Sequence, residues 1–83
     1  MQTRTKKSAE ALPLVFQDFL LKHSNDGTPY ILVDDIEKKM TPAQYHRFSE
    51  WFEGKTGIID EGRYGVFKWD LEDFIRNDNN KHF

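Results

Sequence analysis

The sequence predicts a small single α+β domain whose elements run α-β-α-α-β-β-α. Three observations predict it. One stretch, from Thr41 to Gly54, carries a helix start, a periodic apolar face and a helix stop. After Gly54 the hydrophobic period drops from about 3.6 residues to 2, the change from helix to strand. The chain is 83 residues long, 37% hydrophobic and 14% aromatic, which supports one modest core built largely from rings.

Residues 1–8 are expected to form a flexible basic arm, since they hold Arg4, Lys6 and Lys7, no acid and no apolar anchor. Ser8 can cap a first helix. Leu12, Val15, Phe16, Phe19 and Leu20 then fall at i, i+3, i+4, i+7 and i+8, an amphipathic stripe. Pro13 is tolerated only in a first turn, so the regular helix is expected from about Leu12. His23-Ser24-Asn25-Asp26-Gly27 is turn chemistry and ends it.

Pro29-Tyr30-Ile31-Leu32-Val33 is too short for a helix and rich in β-forming residues, so it reads as one buried strand. Asp34 or Asp35 is expected to cap a short second helix, with Ile36 and Met40 facing the core and Lys38 and Lys39 facing water. The third helix opens with Thr41 as N-cap, Pro42 at the first helical position and Gln44 completing a T-x-x-Q capping box. Tyr45, Phe48, Trp51 and Phe52 gather on one stripe. Gly54 then supplies a positive φ to stop the helix. Thr56 to Ile59 and Tyr64 to Trp69 are strand candidates joined by the turn Asp60-Glu61-Gly62-Arg63. Asp70 is expected to cap a last helix carrying Leu71, Phe74 and Ile75. Both tryptophans, Trp51 and Trp69, are assigned to the core. The folded domain is therefore expected over residues 9–76, with residues 77–83 a frayed polar tail.

This order resembles winged-helix domains, with the first strand pairing the hairpin and the second and third helices forming a helix-turn-helix. The resemblance covers residues 9–76. In a DNA-reading version, the Thr41–Gly54 helix would be the recognition helix, with Gln44 and Arg47 on base edges and Lys38 and Lys39 on phosphates. Arg63 and Tyr64 would form the wing. The spacing Trp51-x-x-Gly54-x-Thr56, followed by Tyr64, Trp69-Asp70 and Phe74, is also similar to a pattern in small accessory proteins of phages and plasmids.

Charge weighs on the choice between partners. Apart from the arm, nine lysines and arginines face fourteen aspartates and glutamates, about five negative charges net. Such a body repels a phosphate backbone unless its basic residues are segregated on one face. Glu50 and Glu53 also continue the exposed helix face, and Asp60 and Glu61 stand at the wing tip. An ordinary solvated surface of mixed charge accounts for the same residues.

Catalytic and metal motifs fail on chemistry. Gly54-Lys55-Thr56 has the ending of a P-loop, but Ser49 stands where the other glycine belongs, and a helix precedes where a strand should. Asp60 to Leu71 can be laid on a calcium loop, but Gly62, Tyr64 and Leu71 occupy positions that need oxygen ligands. His23, His46 and His82 are scattered, and His46 with Glu50 makes only half a metal site. No serine or threonine has a placed base. Cysteine is absent, which removes disulfides and thiolate sites. No apolar run is long enough to span a membrane, and the basic start lacks an apolar h-region, so a cytoplasmic protein is expected.

The sequence thus points to a module without catalysis, cofactor or metal that binds a protein partner, as a phage- or plasmid-type modulator of host machinery. The alternative is a sequence-specific, DNA-binding transcriptional regulator working as a homodimer.

Overall fold

A computed structural model describes residues 13–82. A single 3-10 turn, Phe16–Asp18, is followed by β1 (Lys22–His23), β2 (Pro29–Leu32), α1 (Val33–Lys39), α2 (Pro42–Phe52), β3 (Ile58–Asp60), β4 (Arg63–Phe67) and α3 (Lys68–His82). The strands make one antiparallel sheet in the order β1-β2-β4-β3. Tyr30, Ile31 and Leu32 of β2 lie opposite Phe67, Val66 and Gly65 of β4. The architecture is a small α+β domain of three helices and four strands.

The core lies where Ile31 and Val66 meet Ile36, Met40, Phe48, Leu71, Phe74 and Ile75 from the three helices, with Leu14 and Phe19 from the leading segment. Phe48 is its aromatic centre. Its ring is edge-on to Phe74 at 5.3 Å and stacks with Phe52 at 5.5 Å. Tyr45, Trp51 and Phe52 are half-buried against it, as their spacing predicts.

The α2 start is built as the sequence reads. The Thr41 hydroxyl accepts from the Gln44 N–H at 3.1 Å, and Gln44 Oε1 accepts from the Thr41 N–H at 2.9 Å. These reciprocal bonds satisfy two donors that a helix start leaves open. Gly54 has φ +86°, the left-handed value its position requires. The β3–β4 turn is also as read. Glu61 and Gly62 have φ of 52° and 77°, the type I′ geometry whose twist matches two antiparallel strands.

The first helix is not there over the described residues. Residues 13–21 run extended around the 3-10 turn, so the element order from Pro13 onward is β-β-α-α-β-β-α rather than α-β-α-α-β-β-α. Long-range bonding competes with the periodicity. Asn79 on α3 uses both its amide groups on Leu14, accepting from the Leu14 N–H and donating to the Leu14 carbonyl, each at 3.0 Å. Leu20 N–H donates to Asp35 Oδ2 at 2.8 Å. Backbone groups held this way are not free for a helical ladder. Of this stretch Leu14 and Phe19 are buried in the core and Phe16 packs against it, while Val15 and Leu20 are 44% and 59% exposed. The basic arm of residues 1–8 lies outside the described residues.

Three boundaries also move. β2 passes directly into α1 at Val33, so Asp34 and Asp35 occupy the first turn instead of the N-cap, where the helix dipole still favours them. α3 begins at Lys68, two residues before Asp70, and it continues through residues 77–82 instead of fraying. Asp78 and Asn79 explain that extension, because both side chains are tied to distant parts of the chain. Trp69 is 52% exposed and stacks on Phe67 at 5.0 Å, so it is not a core residue.

Phe48 is 2% exposed, and Phe48→Ala is expected to cost about 3–5 kcal/mol, read from chemical denaturation. In the same protein, iodide should quench Trp69 readily and Trp51 weakly, and equal quenching of both would contradict this packing.

Candidate functional site

The residues singled out for DNA contact do not assemble into a basic reading surface. Gln44 is only 5% exposed, with its side chain turned back into the capping box, so it cannot reach a base edge. Arg47 is half-buried, and its Nε and Nη2 donate to the two carboxylate oxygens of Asp78 at 2.7 and 2.9 Å. This forked geometry uses the donors with which an arginine would read guanine. The hydrogen bond to Asp78 holds the guanidinium pKa above its ordinary value, against the opposing effect of burial.

Lys39 pairs with Asp35 at 3.2 Å, one turn back on α1. Lys38 is exposed. Arg63 on β4 sits 3.6 Å from Asp34 on α1, with both groups largely in water. Of the two lysines nominated for phosphate, Lys39 is matched by an acid and Lys38, among the described residues, is not, and the wing arginine Arg63 also faces an acid. His46 pairs with Glu50 at 3.3 Å on the exposed side of α2. Among the described residues no group of three histidines or acids converges as a metal site.

Beneath Arg47 lies a shallow groove of about 330 Å³ between α2 and α3. Trp51 and Phe74 form its floor, and Glu50, Asn77, Asp78 and Lys81 line its sides. Lys55 Nζ rests 4.4 Å from the centre of the Trp51 ring, a cation–π contact.

The β3–β4 hairpin offers a different surface. Ile59 and Tyr64 are directly opposite each other and share one sheet face. Ile59 is 73% exposed and Tyr64 42%. The Tyr64 ring lies 6.0 Å from Phe52 at the end of α2, so the apolar strip continues from the hairpin onto half-buried Phe52. Gly57 makes this arrangement possible, because a side chain there would run into the Gly65 carbonyl and the Tyr64 ring.

The opposite face holds the hairpin rigidly. Tyr30 is fully buried and lies over Gly65, where an added Cβ would come within 2.7 Å of its ring. Its hydroxyl donates to Asp60 Oδ2 at the end of β3. The sequence marks Arg63 and Tyr64 as hairpin residues beside a tight turn, whereas Ile59 stands in it only as part of a strand. Its signal was the β-branched pair Ile58-Ile59 beside a tight turn: in a two-sided strand one of the two must face away from its neighbour.

Two outcomes follow from these bonds. Asp78 is 3% exposed and Arg47 32%, so Arg47→Ala should cost about 2–3 kcal/mol, below the ~3–5 of a fully buried pair because the guanidinium is partly in water. Lys38→Ala and Lys39→Ala should each stay within about 0.5 kcal/mol. Arg47, placed by the DNA reading on a base edge, is instead half-buried and bound to Asp78. The Tyr30 bond is checked by pH. The hydrogen bond to Asp60, then burial and the charges of Asp60 and Glu61, raise the Tyr30 hydroxyl to about 12 from 10.0. The proton is held more tightly in the folded state, so the stabilisation is complete below pH 10 and is lost as pH rises from 10 to about 12. Tyr30→Phe should flatten the stability profile in that window, measured by urea midpoints at each pH.

Comparison with protein-family models, with curated protein sequences and with solved structures finds no match to this chain.

Proposed function

We propose that this protein is a non-catalytic module that binds a protein partner through the exposed end of its β3–β4 hairpin, where the helix-packed face of the sheet runs out past Phe52 to Tyr64 and Ile59. The observation that carries the reading is the exposed cross-strand pair Ile59–Tyr64, continuous with Phe52. Large apolar residues gathered beside one another in water are the usual mark of a contact surface, whereas single exposed ones are not. Tyrosine adds contact area at low entropic cost, and Arg63 beside it supplies a polar rim.

Electrostatics supports the same choice. Gln44 and Arg47 are engaged inside the fold, Lys39 and Arg63 have acidic neighbours, and Asp60 and Glu61 stand at the hairpin tip. A phosphate backbone approaching this end would meet more negative than positive charge. The pairing of β2 with the second hairpin strand and the two-residue break between α1 and α2 support a winged-helix likeness. The hairpin would then be the wing, used for protein contact. The similarity to accessory proteins of phages and plasmids favours a partner drawn from host machinery.

Ile59→Asp should leave the melting temperature within a few degrees, because the side chain is already in water, and should abolish partner retention in a nuclease-treated host lysate. The Lys38→Ala/Lys39→Ala variant should retain the partner. Salt-sensitive binding to a defined duplex, lost in the double lysine variant and intact in Ile59→Asp, would instead establish the DNA regulator.

A further inference from the structure

The geometry points to a specific mode of binding at this hairpin: we propose that β3 is an acceptor edge, taking an extended basic-apolar segment of the partner as an added antiparallel strand. This rests on the protein-binding reading and deepens it.

β3 is an outer strand, and among the described residues no strand pairs with its far side. The register shows which backbone groups that side presents. Asp60 and Arg63 flank the two-residue turn and form its hydrogen-bonded closing pair. Pairing alternates along an antiparallel ladder, so Ile59 and Tyr64 are a non-hydrogen-bonded pair. The Ile59 N–H and C=O therefore point away from β4, out of the sheet. An extended segment laid alongside would exchange two main-chain bonds with Ile59, the interaction on which strand addition depends.

The side chains set the chemistry of that segment. The residue opposite Ile59 would lie on the face shared by Ile59 and Tyr64, beside Phe52, and should be apolar. In an antiparallel strand, the residue before it would lie opposite Asp60, and the one before that would pass Glu61 where the chain turns, so both should be basic. Arg63 does not neutralise these acids, because its guanidinium is directed to Asp34. The residue after the anchor would face Ile58, which is half-buried, and should be apolar. The pattern is two cations followed by two apolar residues.

A second copy of this chain fits poorly. Two β3 strands paired about Ile59 would set their Asp60 residues diagonally on one face, a like-charge arrangement that destabilises a ladder. A three-residue strand also gives much less contact than the roughly 800 Å² per partner of a stable interface. The edge is short and guarded by acids, as edges that resist self-pairing are.

The test uses capped hexapeptides and the full chain labelled with ¹⁵N. Acetyl-Ser-Lys-Lys-Val-Val-Thr-amide should shift the Ile59, Tyr64 and Phe52 resonances and slow exchange of the Ile59 amide. The Glu-Glu counterpart should bind at least tenfold more weakly. N-methylation of the first valine, whose N–H would donate to the Ile59 carbonyl, should weaken binding at least tenfold. N-methylation of the second valine, whose N–H would face outward, should change it less than threefold. Equal sensitivity to the two methylations would overturn strand addition, and equal binding of the Lys and Glu peptides would overturn the charge rule. Absence of binding by every peptide would overturn both, as would sedimentation showing a dimer that Ile59→Asp dissolves. If these results fail while Ile59→Asp still abolishes partner retention, the protein-binding reading stands and strand addition alone falls.

Discussion

Phe48 meets four other rings, Tyr45, Trp51, Phe52 and Phe74, at centroid separations between 5.3 and 6.4 Å, and the arrangement of the molecule depends on that cluster. The contact with Phe74 packs α2 against α3. The contact with Phe52 carries the same packing to Tyr64, and so to the hairpin. A domain this small buries a limited fraction of its surface, so a few large rings must supply most of the apolar contact. They also fix orientation: where α2 lies against α3, Arg47 falls beside Asp78, and where α2 ends, Phe52 falls beside Tyr64.

That orientation determines which charges remain available to a partner. Asp78 is almost inaccessible, and a carboxylate in that position needs a cation. Arg47 supplies it with both arms of its fork, and the groove floored by Trp51 and Phe74 is left with a largely compensated rim. The outcome at the hairpin differs. Asp60 accepts from a phenol and not from a cation, and Glu61 follows it at the turn. Among the described residues, acids that pair with no cation thus stand next to the most exposed large apolar side chain, Ile59.

The parts of this fold that were legible are those written locally. Thr41, Pro42, Gln44 and Gly54 define α2 within fourteen residues, and Asp60-Glu61-Gly62-Arg63 defines its turn within four. The parts that were not legible depend on contacts between distant residues. Leu12, Val15, Phe16, Phe19 and Leu20 have helical spacing, but the backbone at Leu14 is claimed by Asn79, 65 positions away. A tail of polar residues looks frayed until Asp78 meets Arg47, 31 positions away. Gln44 shows a subtler limit. The same residue was read as a cap and as a base reader, and these roles exclude one another because one side chain has one direction. The site was legible in part for the same reason: Arg63 and Tyr64 follow from the turn, whereas the exposure of Ile59 depends on where the sheet ends.

The hairpin is held from both faces and left open at its edge. Tyr30 binds Asp60 from one side, and Phe52 packs on Tyr64 from the other. Gly57 and Gly65 let the strands and rings approach where a Cβ would collide. These restraints stop at Ile59, whose side chain and outward backbone groups meet solvent. Binding to a flexible strand would first have to order it, at a cost that subtracts from affinity. β3 is already extended and fixed in register. The free energy of two main-chain bonds and one apolar contact would therefore go into association, and only the incoming segment would have to become ordered.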